Sequence, residues 1–297
     1  MKALRFAALG DSLTEGIGDP VDGGAWRGWA ALLATGLAPA DAPVEFRNFA
    51  ASGAQTADVL GRQLPAALAF APDVASVVVG VNDTLRCTFD IQAVAARLDR
   101  VYGAFGERGT LLLTACLPDP GVLLGLPGAL ARPLARRQHA VNSVVHALSE
   151  RHGAVHLHAA EGDWVADRSL WSADRLHPGE RGHRLLAARF HAVLAATGTA
   201  RGAAPGTAAE RPAPTRSAGF WWLATAGTGW VARRCTDLLP QLLALAADEV
   251  RHGLRGTSAR LDLRASTGVA AALSALSAPG VPMPMPMPVA PERAAAS

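Results

Sequence analysis

The strongest constraint on this chain is a rhythm of short apolar runs separated by segments of helix length. Such runs lie at residues 4–9, 44–49, 74–79, 110–115 and 154–158 of the 297-residue sequence. Three are nearly continuous Val, Leu and Ala, the pattern of parallel strands covered on both faces. Between them, helices are predicted at 26–37 and 57–68. Ile91, Val94, Leu98, Val101 and Phe105 then fall at three- and four-residue steps, with Gly109 as a stop signal. The spacing recurs at Val141, Val144, Val145 and Leu148, and again at Leu185, Leu186, Arg189 and Phe190. Five strands alternating with five helices predict an α/β protein. Its parallel sheet lies between two helical layers in a three-layer α/β/α sandwich.

The pattern ends near Thr197. It divides the chain into a main domain at 1–197, an Ala/Gly/Pro-rich linker at 198–217, a partly helical extension at 218–275 and a Pro/Met-rich tail at 276–297. Alternating proline excludes helix and interior sheet, so the tail is expected to be disordered. Trp221, Trp222 and Trp230 in the extension need cover, either on the main domain near its active face or between two copies of the chain. A homo-oligomer is therefore a candidate assembly.

Half the residues are hydrophobic, enough for a substantial core, yet no run of 18 apolar residues suggests a membrane span. The opening stretch turns polar too soon for a secretory signal, and three widely spaced cysteines suit free thiols. The expectation is a cytoplasmic protein. A net charge of +3 without a dense basic stripe, and 5% aromatic residues, argue against nucleic acid as a partner.

In open parallel sheets, ligands sit beyond the carboxyl ends of the strands. That rule selects Gly10, Asp11 and Ser12 after the first run, Asn48 and Gly53 after the second, and Gly80, Asn82, Asp83 and Arg86 after the third. It also selects the stretch from Trp171 to His177 after the fifth. An oxygen nucleophile needs a base, and the base needs an orienting acceptor. Ser12 offers the hydroxyl, His177 the base, and Asp174, three residues earlier, the orienting carboxylate. The backbone N–H groups of Ser12 and Gly53 and the side-chain amide of Asn82 are candidate donors to a developing oxyanion. Each has a plainer reading: Ser12 and Gly53 as turn residues, Asn82 as an Asx-turn, Asp174 and His177 as a helix N-cap pair. Turn chemistry alone does not explain why all of them fall on loops at one sheet edge.

The same residues resemble the signature blocks of the SGNH, or GDSL, hydrolases. The blocks are GDSLTEG at residues 10–16, the isolated Gly53, GVND at 80–83 and DRLH at 174–177, in the family's order. The resemblance covers residues 1 to about 197. It implies a flavodoxin-like sheet, no cofactor, and a small-molecule ester substrate with a small or short-to-medium acyl group, cleaved through an acyl-serine intermediate. Ser12 is then the nucleophile, His177 the base and later the acid, Asp174 the orienting group, and Ser12, Gly53 and Asn82 the oxyanion hole. The tryptophan-bearing extension is similar to those of some actinobacterial-type members. An acyltransferase or carbohydrate acetylesterase would use the same residues; an inert flavodoxin-like binding module is the rival of another class.

Specificity is less legible. Arg86 stands near the mouth of the site, where it meets either an anionic group of a substrate or a nearby acid. The Gly/Pro-broken stretch 118–133 is expected to be a long loop. Its Val122 and Leu123 line one wall of an acyl pocket or dock against the C-terminal tryptophans. Trp26 and Trp29 suit core or cap packing, and Asp11 and Asp83 suit tying loops together through backbone N–H bonds. His156 and His158 share one strand face, but the sequence shows no further ligand beside them, so no metal is assigned.

Overall fold

In the computed structural model, which describes residues 3–211 and 239–277, alternation along β1 (Leu4–Gly10) sets the two faces of the sheet. Phe6 and Ala8 enter one core, Ala7 and Leu9 the other, and all four are fully buried. β2 (Val44–Asn48) pairs on one side of β1 and β3 (Val74–Val78) on the other, followed by β4 (Leu111–Cys116) and β5 (Val155–His158). All pairs are parallel, in the order β2-β1-β3-β4-β5. This is the flavodoxin-like order, and its switch point lies between β1 and β3.

The helices are α1 (Ser12–Glu15), α2 (Gly28–Leu37), α3 (Thr56–Asp58), α4 (Leu64–Phe70), α5 (Val81–Thr84), α6 (Ile91–Gly106), α7 (Pro120–Leu123), α8 (Gly128–Arg151), α9 (Asp163–Ala166), α10 (Glu180–Ala196), α11 (Leu239–Leu254) and α12 (Ser258–Ser277). A π turn, Val59–Gln63, joins α3 to α4. α2 and α10 cover the Phe6 face, where Trp29 stacks on Phe190 with ring centroids 4.5 Å apart. α4, α6 and α8 cover the Leu9 face. The result is the expected three-layer sandwich, with two helices added behind it.

Three local expectations need revision. The helix placed at 26–37 starts at Gly28, because Asp19 takes both the Gly28 N–H (3.2 Å) and the Arg27 guanidinium (3.0 Å) and holds the entry in place. Trp26 is left 41% exposed, while Trp29 is core. The stretch 118–133 is not a long loop: α7 occupies 120–123, and α8 starts at Gly128 and runs through Pro133. That proline lies near the start of α8, where it forfeits one helical bond, to the Ala129 carbonyl. Residues 198–211, placed in a linker by composition, are fastened to the main domain. Arg201 and Gly202 donate N–H bonds to the carbonyls of Leu37 and Gly36 (both 3.1 Å), and a Cβ on Gly202 would sit 2.2 Å from the Ala38 carbonyl oxygen. Glu180 accepts the N–H groups of Glu210 (2.7 Å) and Arg211 (3.0 Å).

α11 and α12 pack on the outer side of α6 and α8. Val269, Leu273 and Leu276 join the core cluster there, with Ala272 fully enclosed. Arg136 of α8 ties both helices down through Glu249 (3.1 Å) and Asp262 (2.7 Å). Trp221, Trp222, Trp230 and the Pro/Met tail from 278 onward lie outside the described residues, so the cover expected for the tryptophan segment, on the main domain or between two copies, rests on sequence. No helix of the described residues is long and apolar enough to cross a membrane.

Candidate active site

The site begins where β1 must stop. Gly10 has φ +151°, and a Cβ there would lie 2.2 Å from the Val78 carbonyl oxygen, so only glycine lets β1 end this close to β3. Gln63, from the π turn, then serves Gly10 as a substitute strand. Its side-chain oxygen accepts the Gly10 N–H and its amide donates to the Gly10 carbonyl, each at 2.8 Å and buried. π segments often place functional groups in this way. Asp11 caps α1 by accepting the Leu13 N–H at 3.1 Å. Ser12 is the first residue of α1, so its N–H has no acceptor within the helix. Replacing Gln63 with leucine strips the buried Gly10 N–H of its acceptor and leaves the Gly10 carbonyl with the Ala51 N–H alone, at 3.2 Å. At about 1–3 kcal/mol for the unpaired donor, the denaturant midpoint is expected to fall clearly; an unchanged midpoint would refute this role.

The stretch from Trp171 to His177 closes on itself through Ser172 N–H to the His177 carbonyl at 2.8 Å. Within it, one Asp174 carboxylate oxygen accepts the Ser172 hydroxyl (2.6 Å) and the N–H groups of Leu176 (2.9 Å) and His177 (3.0 Å). The other lies 2.7 Å from His177 Nδ1, and His177 Nε2 lies 2.7 Å from Ser12 Oγ. A carboxylate only accepts, so Nδ1 carries the proton and Nε2 is left to accept from the serine. The N-cap reading of Asp174 describes half its job: it caps this turn, since α10 starts only at Glu180.

Burial alone would raise the Asp174 carboxyl. The hydrogen bond and charge of His177, its backbone N–H and the Ser172 hydroxyl outweigh it and hold the pKa at about 2. Asp11 goes the other way: burial lifts it to about 6, against the partial relief of the Leu13 N–H and His177. The signs are opposite in linkage. Asp174 adds stability that is full above its unfolded value of 3.8 and is lost as pH falls towards 2. Asp11 imposes a cost that grows from pH 3.8 and levels off above 6. Stability of Asp11→Asn relative to the native chain should therefore rise by about 2–3 kcal/mol between pH 4 and 7, measured by denaturant unfolding across that range. A flat difference would contradict the assignment.

Asn82 lies beside Ser12 and His177 at the head of an apolar pocket. Its amide donates to the Ala54 carbonyl (3.1 Å) and, more weakly, to Asp11 Oδ2 (3.4 Å). Gly53, with φ +81°, sits in the loop just before Ala54. Asp83 joins that loop to the end of β3 by accepting the Thr56 N–H (3.0 Å) and hydroxyl (2.6 Å). The pocket holds about 520 Å³ of space free of protein atoms, part of it open to solvent, with Leu13, Val81, Leu117, Leu123, Trp164 and Trp171 among its walls. Val122 and Arg86 do not line it. Val122 is 63% exposed because it and Leu123 are consecutive in α7 and face different ways. Arg86 contributes its backbone carbonyl to Arg137 at 2.8 Å. No described residue of α11 or α12 reaches the pocket.

Several supporting residues escape a reading by motif. His183 is fully buried, accepts the Trp29 N–H at Nδ1 (3.2 Å) and donates from Nε2 to the Ile17 carbonyl (3.0 Å). It thus joins α10, α2 and the loop after α1. Burial pulls its pKa down to about 4, so the ring is neutral. The available signal is its place on the apolar face of α10 with Leu186, Ala187 and Phe190. Behind it, Asp19, Arg27, Glu180, Arg184 and Glu210 form one ion-pair network that draws residues 198–211 against the site's rear.

A serine hydroxyl, an imidazole and a buried carboxylate in line at the switch point of a parallel sheet define a serine hydrolase. The chain belongs to the GDSL-like lipase/acylhydrolase family, whose model matches residues 8–185, and it is a serine esterase of that type. Among solved structures, an acetylxylan esterase from Geobacillus stearothermophilus is similar, with 19% identity, TM-score 0.52, and coverage of 64% of this chain and 94% of that one. A psychrotrophic esterase from Pseudoalteromonas sp. gives 19% identity and TM-score 0.51, covering 65% of this chain and 97% of that one. An alpha/beta hydrolase enzyme from the metagenome of Lake Arreo, Spain, gives 21% and 0.52, covering 67% and 98%. At these identities the likeness establishes the fold. A search of curated protein sequences finds no match.

Proposed function

We propose that the chain hydrolyses carboxylic esters of small or short-to-medium acyl groups, with Ser12 as nucleophile. The observation that carries this reading is the unbroken line of 2.7 Å contacts from Asp174 through His177 to Ser12, opening onto an apolar pocket. His177 Nε2 takes the hydroxyl proton as Ser12 attacks the carbonyl carbon, and returns it to the departing alkoxide. Asp174, held ionised, keeps the ring oriented and offsets the imidazolium charge. The acyl-serine is then cleaved by water activated at the same nitrogen.

The tetrahedral oxyanion is assigned to the Ser12 and Gly53 N–H groups and the Asn82 amide. Asn82 gives up its long contact to Asp11 as negative charge develops on the substrate. Asn82→Ala is expected to lower kcat by about 10²–10³ with p-nitrophenyl acetate; a kcat within twofold of native would remove it from the hole. Leu13, Leu117, Leu123, Trp164 and Trp171 support an apolar acyl group.

A second reading, a carbohydrate acetylesterase, is favoured by the acetylxylan esterase among the structural neighbours. An acyl-chain series from acetate to octanoate, run beside acetylated sugars and with an alcohol acceptor present, separates plain esterase, deacetylase and transferase. No turnover of any ester by the purified protein would overturn the reading. The buried free thiol of Cys116 supports a cytoplasmic location.

A further inference from the structure

Away from Ser12, the β4–β5 edge gathers four side chains able to bind a metal. Parallel register sets Thr114 beside His156 and Cys116 beside His158. Alternation turns these four residues towards α8, where His146 adds a third imidazole. Ring centroids lie 5.3 Å from His146 to His156, 5.2 Å from His146 to His158, and 4.8 Å between the two β5 rings. Cys116 Sγ lies 3.0 Å from His156 Nε2, and one ligand atom from each of Cys116, His156 and His158 falls within 4.8 Å of the others. Among the described residues, no carboxylate hydrogen-bonds any of the three rings.

The hydrogen bonds fix which atoms are free. Ser149 donates its hydroxyl to the Val145 carbonyl (2.6 Å), so at its 2.7 Å contact with Thr114 it must accept. Thr114 has then spent its own proton and accepts at 2.9 Å from His156 Nδ1. His156 is therefore the Nδ1–H tautomer, with the Nε2 lone pair aimed at Cys116. A histidine whose second nitrogen is pinned in this way is the usual arrangement around a bound metal. Burial, and then His158 and His146, lower the His156 pKa to about 4, consistent with a neutral ring.

We propose that Cys116, His156 and His158 bind a divalent cation of the zinc class, with His146 as fourth ligand. Thiolate with imidazole selects borderline-soft metals over magnesium or calcium, and four such ligands make a closed structural site. Binding displaces the Cys116 thiol proton to solvent. Tetrahedral bonds of about 2.3 Å to sulfur and about 2.0 Å to nitrogen need a sulfur–nitrogen separation of about 3.5 Å, so the Cys116–His156 pair opens by about half an ångström. His158 and His146, both exposed, swing inward and leave an entry path. Leu117 follows Cys116 directly. Ala159, whose carbonyl accepts Trp164 Nε1 at 3.1 Å, follows His158. The metal thus clamps the roots of two walls of the acyl pocket.

The test titrates chelator-stripped full-length protein with Co²⁺ and then Zn²⁺. The expected result is one equivalent of Co²⁺ bound with a thiolate charge-transfer band and tetrahedral visible bands, displaced by Zn²⁺, and a higher Tm for the zinc form. Cys116→Ser should abolish the band. Exposed His158→Gln, which leaves the core intact, should weaken binding by at least about 100-fold, beyond the loss typical of an outer-shell partner. Three outcomes overturn the proposal: no cobalt uptake, a band that survives in Cys116→Ser, or uptake lost in His177→Gln but kept in His158→Gln.

Discussion

Ser12→Ala is expected to lower kcat for p-nitrophenyl acetate by about 10⁵–10⁶-fold, the cost of losing the nucleophile from a triad that acts as a unit. KM and Tm should stay close to native, because the lost oxygen leaves the apolar walls untouched and Ser12 sits half-buried at a helix start. The geometry makes this sharp. Among the described residues, the one hydroxyl that His177 Nε2 hydrogen-bonds is that of Ser12, at 2.7 Å, so none of them stands ready to take over the attack. A fluorophosphonate probe should label the native chain at Ser12 and leave the variant unlabelled. Turnover at the native level in the variant would sink the assignment.

Asp174→Asn should cost about 10⁴-fold in kcat, by a different physical route. The asparagine oxygen can still accept the Ser172, Leu176 and His177 donors that hold the loop together. Its amide then faces His177 Nδ1 and donates to it, which moves the ring proton to Nε2. That nitrogen can no longer take the serine proton, and the counter-charge to the imidazolium is gone. The loop should keep its shape, so near-ultraviolet circular dichroism should match the native protein while activity collapses. A variant retaining more than about a tenth of native kcat would show that Asp174 only shapes the loop.

The sheet and both helical layers could be read from periodicity, since strand and helix patterns are set by residues two to four positions apart. The candidate triad was legible for a related reason. Asp174 and His177 meet within one turn, and Ser12 follows a strand end marked by glycine. What failed locally was also instructive. Gly and Pro in 118–133 suggested a loop, yet buried Pro133 and Leu134 carry α8 through it. Tertiary burial outweighed local propensity there.

By itself, the sequence determined the strand count and the layer order and singled out the three side chains of the proposed catalytic line, because each is encoded in short-range pattern or in a loop that folds on itself. Only the tertiary structure decided the rest. It set Ser12 and His177 in contact across 165 residues of sequence, used Gln63 to finish the end of β1, and sealed the site's rear with His183 and the Arg27 network. It also turned Leu123 inward and Val122 outward, and brought Cys116 and His146 to the two β5 histidines. The physical reason is common to all of these. Strand register and helix packing are global solutions for burying one shared core, and a side chain's partner across that core leaves no periodic trace in its own neighbourhood.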